Sequence, residues 1–573
     1  MPTDRTPTRA ELRLRSAMSA AADAGDMQAW LIASTSLQAI LERQEPDAAG
    51  RADLRSHMLG ACEQLRLGWR SRTGRLLVSQ NSDSVTGPLL RDLLDDPHPD
   101  LAEVFRLTES ARARVLLDSL SGHFHGDSGD AAEAKTAEQV LAFPPDPDPN
   151  PLRREMRLIS AVRTIDDDTA AARQQALSTV ESMYASSGTG GFHGGAEPTA
   201  LARVQAALDP DEVLVEYVVP YHPLHPALGL AALVVTSQGV SLVPDLPLPA
   251  GFTSGFIGSY AIDGRAPVDA SPMGDMVTSA RQAVQGQDPA AAVEAGRMLF
   301  DVLVRPVLDE GSAVGKTRWT VVPHRQLHPV PWMALFDAAG DPWLESVAVT
   351  VSPSASVWAL LAARPQADRS AIALGDPLLG YAGMPALPHA ADEVEHLGTA
   401  WREAGLHADV GVGAKATLTA LREDGPSAGV VHLATHGTFP DSVSGEDHQL
   451  LLSMSAGSNG RLPAALLRTL DLRRAWCVTL SVCNGGLYRI GPGDEPLGLV
   501  PAAMEAGTST VIAAQWAVND EAGRRLMTEV VDHLPDSDPA SALREGALAM
   551  MRAGAAPRDW AAFVGVGSGR GPR

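Results

Sequence analysis

The chain has 573 residues, 45% of them hydrophobic, which is long enough for roughly two to four domains with their own cores and too apolar for a mostly disordered polymer. A formal net charge of -23, without long basic patches or interleaved aromatics, excludes a dominant nucleic-acid-binding role, and no direct nucleic-acid contact is expected. Three cysteines cannot form a disulfide framework, no run of about 18 apolar residues reads as a membrane span, and Met1-Pro2-Thr3-Asp4-Arg5 leads into mixed charge rather than a signal-peptide core, so a cytoplasmic protein is expected.

Leu12, Leu14, Met18, Met27, Trp30, Leu31, Leu37 and the apolar residues after them recur at three- and four-residue intervals and predict helices over 11–72. Cys62 lies inside this region without an obvious histidine or acid partner and reads as a small buried hydrophobe. A helical stretch over 99–121 contains Glu109-Ser110-Ala111-Arg112-Ala113-Arg114-Val115-Leu116-Leu117, and helices are predicted to resume over 152–163 and 168–184 after a Pro-rich break at 144–151. These segments fit antiparallel helix pairs of the solenoid type, although no fixed-period repeat is visible. Ser186-Ser187-Gly188-Thr189-Gly190-Gly191 through Gly195 has the composition of a flexible linker.

Beyond the linker the pattern changes. A short helix over 198–208 precedes a strand at 213–219 and a hairpin built from 229–236 and 239–243. A long helical connection over 276–306 leads to a strand at 319–323, the loop Pro323-His324-Arg325-Gln326-Leu327-His328, and strands at 347–351 and 371–375. Helices at 388–404 and 417–423 follow, then a strand at 430–434, a loop at 438–449, a hairpin from 450–454 and 460–462, a short helix at 463–468 and a strand at 476–481. A helix at 497–505, a strand at 509–514 and helices at 520–531 and 539–552 complete the series. Strands alternating with crossover helices predict an α/β domain with a largely parallel sheet, whose reactive residues lie at strand C-terminal ends.

Two of these strands end in reactive side chains. Val430-Val431-His432-Leu433-Ala434 runs into Thr435-His436-Gly437, and Trp476-Cys477-Val478-Thr479-Leu480-Ser481 runs into Val482-Cys483-Asn484-Gly485-Gly486. A thiol attacks a carbonyl as its thiolate, and an adjacent imidazole both takes the thiol proton and later protonates a leaving amine. If the two strands are neighbours, His436 and Cys483 approach across the sheet edge, and the amides of Gly437 and Cys483 are placed to hold an oxyanion. Cys477 lies within its strand with no glycine turn behind it and reads as core. His432, His436, His448 and Cys483 lack compact ligand spacing, and two histidines four apart on a strand lie about 13 Å from each other, so no metal is expected. The dyad chemistry needs no cofactor.

Val431-His432-Leu433-Ala434-Thr435-His436-Gly437, Leu480-Ser481-Val482-Cys483-Asn484-Gly485-Gly486, Gly498-Leu499-Val500-Pro501-Ala502-Ala503-Met504-Glu505-Ala506-Gly507 and Val511-Ile512-Ala513-Ala514-Gln515-Trp516-Ala517-Val518-Asn519-Asp520 together resemble a CHAT domain. This is the caspase-like domain often found after tetratricopeptide repeats, in the clan that also holds caspases and separases. The resemblance extends upstream through Gly375-Asp376-Pro377, Pro331-Trp332-Met333-Ala334-Leu335, Val322-Pro323-His324 and Leu214-Val215-Glu216-Tyr217, and so covers residues 200–565. It implies a caspase-like, largely parallel sheet flanked by helices, preceded by an all-α domain, and cysteine endopeptidase chemistry with His436 and Cys483 in the family's histidine and nucleophile places. The division it implies is a helical regulatory or interaction domain over 1–185, a linker over 186–198, the N-terminal part of an extended CHAT region over 199–315 and a catalytic domain over 316–570.

Two departures bear on specificity. The Gln-Ala-Cys context of caspases is not met by Ser481-Val482-Cys483, so their preference for aspartate is not carried over, and Gly485 stands where CHAT sequences commonly have threonine. Asp494 and Glu495 follow the cysteine closely and, as in separases, are candidates to line a pocket for a basic residue before the scissile bond, with the solvated turn as the plainer reading. Trp516 is a candidate subsite wall or core residue, and Asp376 a candidate to orient loops near the site or to start a helix. The function expected is a switchable, selective protease acting on a protein substrate, engaged by an activating protein partner through the N-terminal helices, in the defence or signalling settings of related bacterial proteins. The competing readings are a catalytically silent caspase-like interaction module, and acyl transfer or non-peptide hydrolysis by the same dyad.

Overall fold

The computed structural model describes residues 9–23, 89–121, 198–219, 229–247, 272–364, 369–380, 384–439, 448–456, 458–482 and 489–572, with scattered positions between 30 and 87. The helices expected at 152–163 and 168–184, the linker at 186–195 and the Cys483 turn lie outside the described residues.

The N-terminal described residues are helical: α1 (Arg9–Asp23), α2 (Leu101–Ser110) and α3 (Arg114–Leu120). Asp100 starts α2 by accepting from the amides of Ala102 and Glu103 at 3.0 and 3.2 Å. The stretch read as one helix over 99–121 breaks at Ala113, whose φ of +45° lies in the left-handed region that L residues avoid.

After α4 (Leu201–Ala207) come β1 (Glu212–Val218), β2 (Ala231–Thr236) and β3 (Gly239–Val243), then α5 (Pro272–Gln285), α6 (Pro289–Leu303), β4 (Arg318–Val322), β5 (Ala348–Val351) and α7 (Ala355–Ala362). The expected helical connection over 276–306 is two helices, because Asp288 caps the second through the Ala290 amide at 2.9 Å. The chain continues through β6 (Ala371–Gly375), α8 (Pro388–Glu403), β7 (Ala408–Val412), α9 (Leu418–Asp424), β8 (Val430–Ala434), β9 (Gly437–Thr438), β10 (Gln449–Leu451), β11 (Arg461–Pro463) and β12 (Cys477–Ser481). It ends with β13 (Arg489–Gly491), β14 (Glu495–Leu497), α10 (Leu499–Ala506), β15 (Thr510–Ala514), α11 (Asp520–His533), α12 (Pro539–Arg552) and β16 (Phe563–Gly567).

Eleven strands form one sheet in the order β3-β2-β1-β4-β5-β16-β15-β12-β8-β6-β7. The pairing is parallel from β1 through β16 and again from β15 through β7, and antiparallel at β3-β2, β2-β1 and β16-β15. This is the largely parallel α/β architecture, flanked by helices and with a helical N-terminal region, that the sequence leads one to expect. β1, β2, β5, β6, β8, β15 and β16 are buried along their whole length, which is why β2, β5, β6 and β15 read as near-continuous apolar runs rather than alternating ones. Helices cover both faces, and α2 joins α7 and the β1–β2 pair in a second core on one side.

Neither β16 nor β7 was expected from the sequence. Phe563-Val564-Gly565-Val566-Gly567 carries two glycines, and β7 is a half-exposed edge that holds Asp409 and Gly411, so both lack strong strand propensity and gain their structure from pairing.

At the end of β6 an ideal Cβ on Gly375 would stand 2.6 Å from the Ala390 carbonyl and 2.8 Å from Val394, so glycine lets α8 close on the sheet. Gly375→Ala is expected to destabilise the protein by about 1–3 kcal/mol through overpacking. Urea denaturation should show a lower midpoint with an unchanged slope.

Candidate active site

β8 and β12 are neighbours, parallel and level: Thr479 pairs with His432 and Ser481 with Ala434, and the Thr435 amide donates to the Ser481 carbonyl at 3.3 Å. His436 lies two residues beyond one strand and Cys483 two beyond the other, although Cys483 itself is outside the described residues. The two loops meet at Gly437 and Val482. An ideal Cβ on Gly437 would stand 2.9 Å from Val482 Cγ1 and 2.6 Å from the Phe439 ring, so the residue after the histidine packs on the residue before the cysteine and tolerates no side chain.

His436 is half-buried and held on both sides. Its carbonyl accepts from the Leu451 amide at 2.9 Å, and its Nε2 lies 3.0 Å from the Pro385 carbonyl. A carbonyl only accepts, so Nε2 carries a proton, and in the neutral ring the lone pair is on Nδ1. Asp376 holds the same segment two residues further on. The Leu387 amide donates to Asp376 Oδ1 at 2.6 Å, the Asp376 amide donates to the Ala434 carbonyl at 3.2 Å, and Asp376 adopts a φ of +45°. A non-glycine residue in this region is costly and recurs where function demands it. Asp376 thus ties the end of β6 both to β8 and to the segment that bears Pro385.

Beneath the strand ends lies a buried polar chain absent from the sequence-based site. His432 Nδ1 is 2.5 Å from Thr479 Oγ1, its Nε2 is 2.8 Å from Glu393 Oε1 without hydrogen-bond alignment, and Ser481 Oγ donates to Glu393 Oε2 at 3.1 Å. Its signal was available in the histidine at the centre of an apolar strand, but Glu393 on α8 has no sequence cue that pairs it there.

Cys477 is fully buried in β12, and burial pushes its thiol well above the ordinary range. Cys62 is also buried; burial first, then the Glu63 charge, push its thiol up to about 12. Both fit inert core positions. Trp516 follows β15, is 5% exposed, donates through Nε1 to the Arg558 carbonyl at 2.9 Å and has the Arg281 guanidinium 5.5 Å from its ring centre.

Asp494 and Glu495 sit elsewhere. Both are buried, and they meet the helical region and the loop after β4, which is separated from β12 by β5, β16 and β15. Asp494 accepts from the Arg325 amide at 3.2 Å, faces His324 Nε2 at 3.4 Å and His328 Nε2 at 3.8 Å, and lies 4.0 Å from Arg112 Nε. Glu495 accepts from the amides of Val115 and Leu116. Arg112 donates to Glu216 Oε1 at 3.1 Å and to the Tyr217 carbonyl. Burial, reinforced by Glu109, pushes the Glu216 carboxyl well up against the opposing pull of Arg112. The solvated acidic turn considered from sequence is therefore not what forms here. A glutamate inside an apolar strand was a cue to this buried cluster; its arginine, a hundred residues upstream, was not paired with it by any local pattern.

Three of the described non-glycine residues with positive φ, Ala113, Arg325 and Asp494, meet at this junction. Among the described residues, no group of three His, Cys, Asp or Glu is placed to hold a metal ion, and no helix is long and apolar enough to cross a membrane.

Residues 293–568 match the family model of the CHAT domain. No curated protein matches the chain. Among solved structures it is similar to gingipain R, an Arg-specific cysteine proteinase, at 11% identity over 51% of this chain and 74% of that one, with a TM-score of 0.33. It is also similar to the Saccharomyces cerevisiae separase-securin complex at 11% identity over 94% of this chain and 40% of that one, with a TM-score of 0.40.

The junction around Asp494 titrates. Burial first, then Arg112, hold the His324 imidazole well below its usual range, and the Val219 amide donates to its Nδ1 at 2.8 Å, which requires the neutral ring. Burial alone would raise the Asp494 carboxyl, but His324, His328 and Arg112 outweigh it and hold the group well below the carboxylate range. Both folded values lie below the unfolded ones, so the unfolded chain binds more protons and acid destabilises the fold. Stability is expected to fall by up to ~1.4 kcal/mol per pH unit below about 6.5 through His324, with Asp494 adding its share below about 4. Denaturation of His324→Gln across pH 5–7 should show a flatter dependence than the parent.

Proposed function

Residues 293–568 of this chain are a CHAT domain, and from that premise we propose that the protein is a cysteine endopeptidase acting on protein substrates through His436 and Cys483. The observation that carries this reading is the contact between the two loops, where Gly437 packs on Val482 at the level ends of β8 and β12.

In the proposed mechanism His436 Nδ1 takes the Cys483 thiol proton, because Nε2 is committed to the Pro385 carbonyl. The thiolate attacks the substrate carbonyl, and the amides of Gly437 and Cys483 receive the oxyanion. The C–N bond breaks as His436 returns the proton to the leaving amine. Water then adds to the thioester with His436 as base, releasing the acid and the thiol. Asp376 acts through the Pro385 segment and is a positioning residue. This assigns it to orientation of the histidine rather than to substrate contact.

The specificity proposed is for a basic residue before the cut, read by Asp494 or Glu495, with Trp516 beside the site. A reducing, cytoplasmic setting suits a thiolate nucleophile. The helical region is the natural seat for an activating protein partner, and a switchable enzyme of this kind suits a role in bacterial defence or signalling. The silent-scaffold reading gains support from one observation: Asp494 and Glu495 are engaged by the chain itself.

Cleavage of a peptide library by the parent and by Cys483→Ala tests the proposal. The variant should lose activity by about three orders of magnitude while keeping its melting temperature, and full retention would refute the nucleophile. Enrichment of Arg or Lys before the cut is expected; enrichment of Asp or of small apolar residues would refute the acidic reader. Asp376→Ala should lower kcat about tenfold with little change in KM, and Asp376→Asn, which keeps the acceptor for Leu387, should restore most of it.

A further inference from the structure

The chain leaving the proposed nucleophile is gripped at its far end. The Ala113 amide donates to the Gly493 carbonyl at 3.1 Å, and the first-turn amides of α3 at Val115 and Leu116 donate to the Glu495 carboxylate. Val115 and Leu497 bury one another. Gly493, at a φ of +69°, comes so close to the helical region that an ideal Cβ would stand 2.7 Å from Ser79 Cβ. One step further on, Ser119 Oγ donates to Glu505 Oε2 on α10 at 3.0 Å. The helix doing the gripping is itself held from behind. Asp118 pairs with Arg66 and, at 2.6 Å, with Arg75, while Arg114 and Arg66 meet Glu63 at 2.7 and 2.6 Å.

We propose that α3 and Arg112 form an autoinhibitory latch on residues 489–497, and that the site accepts substrate only when this grip is released. The proposal rests on the peptidase reading above and adds its regulation. A carboxylate that caps α3 from a buried position cannot at the same time face a substrate's basic side chain, and the same competition applies to Asp494 beside Arg112, His324 and His328. Residues 489–497 are therefore tied, through β13 and β14, to a helix whose other face belongs to the N-terminal region. A protein that draws on those helices would act through Asp118 and Arg114 on α3, and through α3 on the loop. Linkage makes the coupling reciprocal: whatever occupies the site must loosen α3.

The test uses the full-length chain and two irreversible probes, a peptidyl-arginine and a peptidyl-leucine chloromethyl ketone. In each, a bond forms between Cys483 Sγ and the probe methylene as the carbon-chlorine bond breaks and chloride leaves. Labelling of Cys483 is followed by mass spectrometry in the parent and in Val115→Asp, which sets a negative charge beside Glu495 and lies on α3 rather than on the β8 or β12 loop. Labelling at least tenfold faster in the folded variant is the expected result. Equal rates would overturn the latch and leave the peptidase reading standing. No labelling of Cys483 by either probe in either protein would overturn the peptidase reading, and the latch with it. Should Val115→Asp fail to fold, Val115→Ala takes its place with a threefold acceleration expected and the same outcomes deciding. In the parent, completed labelling should also speed hydrogen exchange at the Val115 and Leu116 amides about tenfold, and unchanged exchange would overturn the latch.

Discussion

The register of β8 against β12 is the constraint on which the chemistry depends. Parallel strands lie about 4.8 Å apart, so two side chains reach the same small volume only if their strands end level. Pairing Thr479 with His432 and Ser481 with Ala434 ends β8 and β12 level. A slip by one residue would turn one side chain to the opposite face. The polar chain from Thr479 through His432 and Glu393 to Ser481 opposes such a slip, because any shift would separate buried polar atoms that have no water to replace their partners.

Around that register the loops are fixed by contacts that only small or strained residues permit. Gly375 brings α8 against β6, Gly437 brings the histidine loop against Val482, and Asp376 holds the segment whose Pro385 carbonyl meets His436. The second centre of tension, where Ala113, Arg325 and Asp494 adopt left-handed backbones, lies at the seam between the helical region and the sheet.

Much of the sheet was legible because strands buried on both faces declare themselves as short apolar runs, as β8, β12 and β15 do. That His436 and Cys483 each follow an apolar run was legible for the same reason, whereas the adjacency of β8 and β12 was only a condition in the sequence and is supplied by the fold. What was hidden depends on partners distant in sequence. Arg112 meets Glu216 and Asp494 only after folding, Glu393 reaches His432 from a helix, and Glu495 looks like a solvated turn residue until the α3 amides are placed on it. The break at Ala113 was equally hidden, because neither glycine nor proline marks it.

The antiparallel strand β16 joins two sub-sheets that run in opposite directions, with β5 on one side and β15 on the other. During synthesis, every other strand of the sheet leaves the ribosome before residues 563–567 do. Until then both β5 and β15 expose open edges, and the half that carries the histidine and the cysteine lacks its neighbour on one flank. Such edges are templates for wrong pairing, so the nascent chain is exposed to aggregation until β16 has paired. The same order means that the two halves of the sheet remain unjoined until β16 emerges, so the strand made last within the sheet is the one that ties the β8–β12 half to the β1–β5 half.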